Sequence, residues 1–339
     1  MQRVFRAVGA AMAVLVFLAV AGPSAAGDKV IWRAGTLAPR GIGYARQISE
    51  ILIPGVDEAT EGTLSLKVYY GGILGDDEDY LRKIREGDLE ATGTSAQGAL
   101  MACPQMGVVA LPFLFSGYDE LDYVKPRMYP VFDRFINERG LKLLLWLDQG
   151  FDQFYSVKYP FTQPGDFARA RFLTWMGPLE EALLAKLGAQ AVPVDVPEFN
   201  DALRRDRADS YIGPPIWAVA TQLYSLVKHV NATDVRYSPS VCAVSSRAWE
   251  ALPDRYKANI LAGRESWQDA FCKASRIENA QCLTAMRQYG LTVVTMNEEE
   301  KAGIMRRTRP LWDEMAGVLY PREVLDELLA LLEEYRKSR

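Results

Sequence analysis

Between residues 30 and 94 the apolar pattern changes period four times, and that rhythm leaves few folds open. Residues 30–34 form a short apolar run that reads as a buried strand, closed by the turn from Gly35 to Pro39. Ala45, Ile48, Ile51 and Leu52 then share one helical face within 43–59, where Pro54 is predicted to kink or interrupt the helix. Residues 64–70 alternate at period two, as a half-buried strand does. A second helix is predicted over 76–85, opened by acids that suit the positive end of its dipole, and a third strand over 89–94. Strand and helix taking turns in this way call for a parallel sheet with both faces covered.

The second half repeats the theme. Strands are predicted near 154–157, 170–173, 191–194 and 210–215, with helices over 179–187 (stopped at Gly188) and from Pro197 onward. Residues 236–246 are extended, and 256–289 read as a long helix, or as two segments joined near Gly263. A strand at 291–294 and helices from 298 to 335 finish the chain. No repeat, low-complexity tract or flexible linker intervenes, so crossing strands and helices are expected to join two α/β units.

Arg3 and Arg6 precede an uncharged apolar run, and Pro23-Ser24-Ala25-Ala26 offers small residues for cleavage after Ala26. That is the pattern of a secretory leader, too short for a comfortable membrane span. The expected mature protein is periplasmic, with no direct membrane insertion. A formal net charge of −4 argues against a nucleic-acid partner, which calls for a basic face. Of the four cysteines, Cys272 and Cys282 fall on one predicted helix, about 15 Å apart, whereas a disulfide needs Cα atoms within about 7 Å. Cys103 and Cys242 complete the set, and free thiols or a cross-pairing both stay open. No two cysteines lie within four residues and His229 is the sole histidine, so no metal or other cofactor is expected.

Three patterns in the first half carry a family resemblance: Gly71-Gly72-Ile73-Leu74-Gly75-Asp76, the helix end and strand start from Ile84 to Ala91, and Leu111-Pro112-Phe113-Leu114-Phe115. In order and spacing they resemble the substrate-binding proteins of tripartite ATP-independent periplasmic (TRAP) transporters. The resemblance implies an α/β, two-lobed periplasmic binding protein fold. Each lobe would hold a mixed, mostly parallel sheet flanked by helices, with the ligand cleft between lobes. It also implies that a small organic ligand, usually an acid, is captured by lobe closure and delivered to membrane permease subunits. Residues 27–149 are expected to form the first lobe, with about 237–290 returning to it. Residues 150–236 are expected to form the second, with about 291–339 packing on it.

In the family an arginine of the second lobe pairs with the ligand's carboxylate, and the matching stretch here runs from Pro164 to Phe172. Arg171 is the better match and Arg169 the second candidate; a guanidinium fork suits a carboxylate. Three positions depart from the family pattern. Gly213 stands where an asparagine often contacts the ligand, which leaves room for a bulkier one; Ser210 replaces a glycine. Asp152 stands where a further arginine is frequent, so it either pairs with an arginine or signals a ligand other than a plain dicarboxylate. Trp175, Tyr211 and Trp217 lie near strand ends of the second lobe, and Tyr44 lies past the first strand; they serve as pocket walls or as core. Thr36 and Ser95 sit on the loops of the first lobe expected to face the cleft.

Two ligand classes follow: an organic acid, or a bulkier apolar, aromatic or amine-bearing molecule. A sensor using the same fold is a third reading. Catalysis is not expected, because His229 has no partner arrangement of the usual kind, no phosphate-binding Gly-Lys-Ser/Thr is present, and Glu180-Glu181 read as a solvated helix surface.

Overall fold

A computed structural model describes residues 29–339; the leader read in residues 1–26 lies outside the described residues. β1 (Val30–Thr36) has β2 (Leu64–Tyr69) as its parallel neighbour on one side and β3 (Ala91–Gly93) on the other, as the alternating periods demand. The chain between β1 and β2 is helical at Tyr44–Gln47, widens into a π turn over Ile48–Leu52, and resumes as α-helix at Ile53–Ala59. Pro54 accounts for the widening: it has no N–H to donate, and its ring would collide with the carbonyl four residues back. The helix Asp77–Glu86 opens on a reciprocal Asp76–Asp79 cap and stops at Gly87 with φ 86°.

The other strands are β4 (Leu141–Ser156), β5 (Arg171–Thr174), β6 (Gln190–Pro193), β7 (Ser210–Gly213), β8 (His229–Ser245) and β9 (Thr292–Val294). All nine share one sheet in the order β2-β1-β3-β8-β4-β7-β5-β6, with β9 on β8. The pairs within each outer group are parallel; β3–β8, β8–β4 and β4–β7 are antiparallel. β4 and β8 pair along nearly their whole length and pass through both halves of the molecule. The division expected at residues 149/150 therefore falls inside a strand. There the register slips between Asp148 and Gly150, and again between Asp152 and Phe154. Bulges bend and twist a strand, so the chain changes lobe by bending two paired strands.

The helix Asp254–Tyr289 runs unbroken through Gly263. That glycine is small for packing rather than for a break: a Cβ there would stand 2.5 Å from the Trp267 ring, and one at Gly55 would stand 2.6 Å from it. The last helix, Arg322–Lys337, does not pack on the second lobe. It lies on the helix Tyr118–Asn137, where Arg336 donates to Glu120 at 2.7 and 2.9 Å and Leu328 and Leu332 join the core with Val124 and Phe132. Apolar burial thus overrides sequence order. All four cysteines are free thiols. No helix among the described residues is long and apolar enough to cross a membrane.

Candidate functional site

The C-terminal ends of β1, β3 and β5 converge with the crossing strands on a pocket between the lobes, the place where open α/β sheets bind ligands. From the first lobe come Thr36, Ala38, Tyr44, Thr94 and Ser95; β4 and β8 supply Gln149, Ser240 and Cys242; Trp175 and Trp217 face them from the second lobe, with Phe271 from the long helix. The space is narrow, with about 40 Å³ open to the centre of a water molecule. No charged side chain is among the residues that line it. A neighbouring hollow that shares Leu37 and Trp175 with it differs: Asp76, Asp77, Glu78, Glu181, Asp195 and Glu198 line it, with Arg207 as the one basic residue.

The aromatic wall is built by backbone constraints. Pro214 and Pro215 end β7 and open the helix Pro215–Ala220, which carries Trp217 back over the strand end. Its ring packs on Trp175 at 4.2 Å between centroids, on Tyr211 at 5.7 Å and on Phe199 at 5.7 Å. A Cβ at Gly213 would stand 2.9 Å from the Trp217 ring. The room left by Gly213 is therefore filled by this protein's own tryptophan rather than by a larger ligand. Tyr211 itself is fully buried, stacked on Tyr155 at 4.5 Å, and does not line the pocket. Ser210 is also buried, donating to the Ser156 hydroxyl at 3.1 Å.

Most hydroxyls facing the pocket are already committed. Tyr44 donates to the Gln149 carbonyl at 2.6 Å, and Thr36 accepts from the Ala38 N–H at 3.3 Å. Ser95 donates to Asp77 and caps the helix Ala96–Ala102. Burial pushes the Asp77 carboxyl up to about 6, against the hydrogen bonds from Ser95. Besides the Thr36 hydroxyl, which accepts but donates to no described residue, two groups are left for a ligand. The Trp175 indole N–H is buried with no acceptor among the described residues, and the Gln149 side-chain amide makes no hydrogen bond to them. A buried unpaired donor carries a free-energy cost that a bound acceptor removes.

Neither expected arginine reaches this pocket. Arg171 is the first residue of β5, at the end of the strand away from the cleft. Its guanidinium is held by Asp206 at 2.6 and 2.7 Å and by Asp209 at 3.4 Å. Two residues on, Leu173 is buried, and four residues on, Trp175 lines the cleft. Arg169 is not in the strand at all: it caps the short helix Pro164–Ala168, pairs with Asp166 at 2.7 Å and lies over the Tyr159 ring. Arg171→Ala is accordingly expected to leave ligand affinity within about twofold and to lower stability by about 1 kcal/mol, the scale of a partly exposed ion pair. Calorimetric titration and urea denaturation check it; a tenfold loss of affinity would return Arg171 to the site.

Asp152 turns away from the pocket and pairs with an arginine. Directly across the ladder, Arg236 donates from Nε to Asp152 at 2.6 Å and from Nη2 to Glu180 at 2.7 Å, with all three side chains at most 1% exposed. Ser238 donates to the second Asp152 oxygen at 2.7 Å. Burial raises the Asp152 carboxyl's pKa despite Arg236. Glu180 is thus buried rather than solvated, and its other oxygen accepts the backbone N–H groups of Trp175 and Met176 at 2.9 and 3.2 Å. The triad fixes the loop that presents Trp175. Sequence reasoning missed Arg236 and Glu180, yet both left signals. Arg236, Ser238, Ser240 and Cys242 share one strand parity, opposite Tyr237, Val241 and Ala243, and Glu180 follows Gly177-Pro178 at the third helical position, where a side chain can reach back to free N–H groups.

Comparison with known proteins agrees with this architecture. The chain matches the family model described as bacterial extracellular solute-binding protein, family 7 (DctP), over residues 52–317. It is 25% identical over 293 residues to a solute-binding protein of Chromohalobacter salexigens, covering 84% of each chain. It is 22% identical over 256 residues to the 2,3-diketo-L-gulonate-binding periplasmic protein YiaO of Escherichia coli, covering 74% of this chain and 76% of that one. Among solved structures, a TRAP periplasmic solute-binding protein of Ochrobactrum anthropi superposes with TM-score 0.81 at 25% identity, over 92% of this chain and 97% of that one. The sugar-acid-binding protein DctPAm of Advenella mimigardefordensis, in complex with galactonate, superposes with TM-score 0.84 at 20% identity, over 91% and 99%. With its two lobes bridged by β4 and β8 and a pocket between them, the chain belongs to family 7 of the bacterial extracellular solute-binding proteins, the binding components of TRAP transporters.

Proposed function

We propose that this chain takes up one small organic molecule with a ring or apolar body and a single compact polar group, and passes it to the membrane permease subunits of a TRAP transporter. The observation that carries the ligand class is the uncharged, aromatic lining of the interlobe pocket, in which the Trp175 indole N–H lacks an acceptor. A ring or apolar body lies against the wall formed by the contacting Trp175–Trp217 pair and Phe271, and its polar group meets the indole N–H and the Gln149 amide. Bending at the β4 and β8 bulges closes the lobes and removes the ligand from water. The acids named for the relatives favour a carboxylate as the compact polar group; here neutral donors would hold it. The family is one of binding proteins, and periplasmic residence follows from the same reading.

Native mass spectrometry of the protein isolated from a periplasm, followed by identification of the released molecule, tests the ligand class. A ring-bearing or branched apolar molecule with at most one charge is expected. A dianion such as succinate, or a polyhydroxy acid without an apolar body, would overturn the reading.

A further inference from the structure

We propose that an apolar space inside the first lobe is the subsite for a hydrophobic arm of the captured ligand, entered from the interlobe pocket between Gly93 and Cys242. The inference rests on the cleft reading above and extends it.

The space lies between the sheet and the helices that cover it, and about 80 Å³ of it is open to the centre of a water molecule. Its walls are almost wholly apolar. Arg264 is the one charged residue on the lining, and its guanidinium lies over the Tyr129 ring at 4.0 Å. An apolar cavity of about 150 Å³ stays dry and accepts benzene; at about half that volume this one suits an alkyl chain or a branched end.

Continuity with the cleft identifies the occupant. Thr36, Ile48, Gly93 and Cys242 line both the interlobe pocket and the inner space. Gly93 marks the passage. A Cβ built on it meets nothing nearer than Thr36 Oγ1 at 3.9 Å, Cys242 Sγ at 4.0 Å and Ile48 Cδ1 at 4.0 Å. Those are the other three shared residues, so a Cβ at 93 would stand in the opening at ordinary contact distance from its walls, and the further methyls of valine would reach across it. Neither the backbone nor packing demands glycine here, since its φ lies outside the left-handed region. Glycine inside a strand weakens it and often marks the close approach of something else. Cys242 completes the opposite wall with a free thiol, which packs as a small apolar group. Trp267, seated between Gly55 and Gly263, forms the helix-side wall, so the arm ends against a fixed ring.

The test is calorimetric titration of n-alkanols from butanol to octanol into the mature protein and its Gly93→Val and Gly93→Ala variants. In the unmodified protein affinity is expected to rise about fourfold per added methylene, the worth of about 0.8 kcal/mol per buried CH₂. Gly93→Ala should keep that rise and Gly93→Val should abolish it. Cys242→Leu, which fills the opening from the other wall, serves if Gly93→Val fails to melt cooperatively. An equal rise in the blocked variant, or no binding of octanol to the unmodified protein, overturns the subsite. The cleft reading falls separately, on a dianion among the molecules released in native mass spectrometry.

Discussion

Arg236→Met is expected to lower folding stability by about 3–5 kcal/mol, measured by urea denaturation at neutral pH, because it strands two buried carboxylates. Asp152 and Glu180 are each about 1% exposed and share that one guanidinium. Alone, each costs several kcal/mol to keep charged in the interior. Replacing all three groups together (Arg236→Met, Asp152→Asn, Glu180→Gln) is expected to recover most of the loss, since the charges then leave as a set. The single variant should regain stability as pH falls. Burial raises the Asp152 pKa in the folded state, so this group's contribution to stability is fully present below the unfolded value of about 3.9 and is lost as pH rises through the folded one. A loss under about 1 kcal/mol at neutral pH would mean that the triad is not what secures this region.

The second large effect concerns binding. Trp175→Ala is expected to weaken the molecule released from the native protein by on the order of 100-fold, through lost ring burial together with a lost hydrogen bond. Two milder variants separate these contributions. Trp175→Phe keeps a ring but removes the indole N–H, and a loss of about tenfold is expected. Trp217→Phe keeps the wall and removes an N–H that is not among the buried, unpaired ones, so it should change affinity by less than about threefold. Equal losses in the two phenylalanine variants would deny the Trp175 N–H its part in recognition.

Much of the architecture was legible because local pattern and tertiary role agree. The period changes before residue 94 produced β1, β2, β3 and their helices where burial demands them, and Pro54 disturbed its helix as its chemistry requires. Legibility failed where a long-range contact decides. Glu180 looks solvated on a helix, and only its meeting with Arg236, 56 residues away, makes it a core group. Arg171 fits the expected clamp by chain position, but the start of β5 lies at the far end of the strand, beside two aspartates. Gly213 reads as open space until Trp217, four residues on, folds back over it. The helix Tyr118–Asn137 contains Pro126 and Pro130, which argue locally against a helix that core packing nonetheless holds.

The four free cysteines set a race during folding. Cys103, Cys242 and Cys272 have thiols pushed up to about 12 by burial, and Cys282 to about 11. Burial that disfavours the thiolate makes the folded chain slow to exchange. Before folding, the same groups sit near their ordinary value of about 8.5 and react readily with an oxidising surrounding. Any bridge made then would join thiols that the finished molecule keeps free. Burial of free thiols, rather than covalent cross-linking, is therefore what guards the folded chain, and refolding under oxidising conditions is expected to yield mispaired, non-binding protein that a reductant prevents.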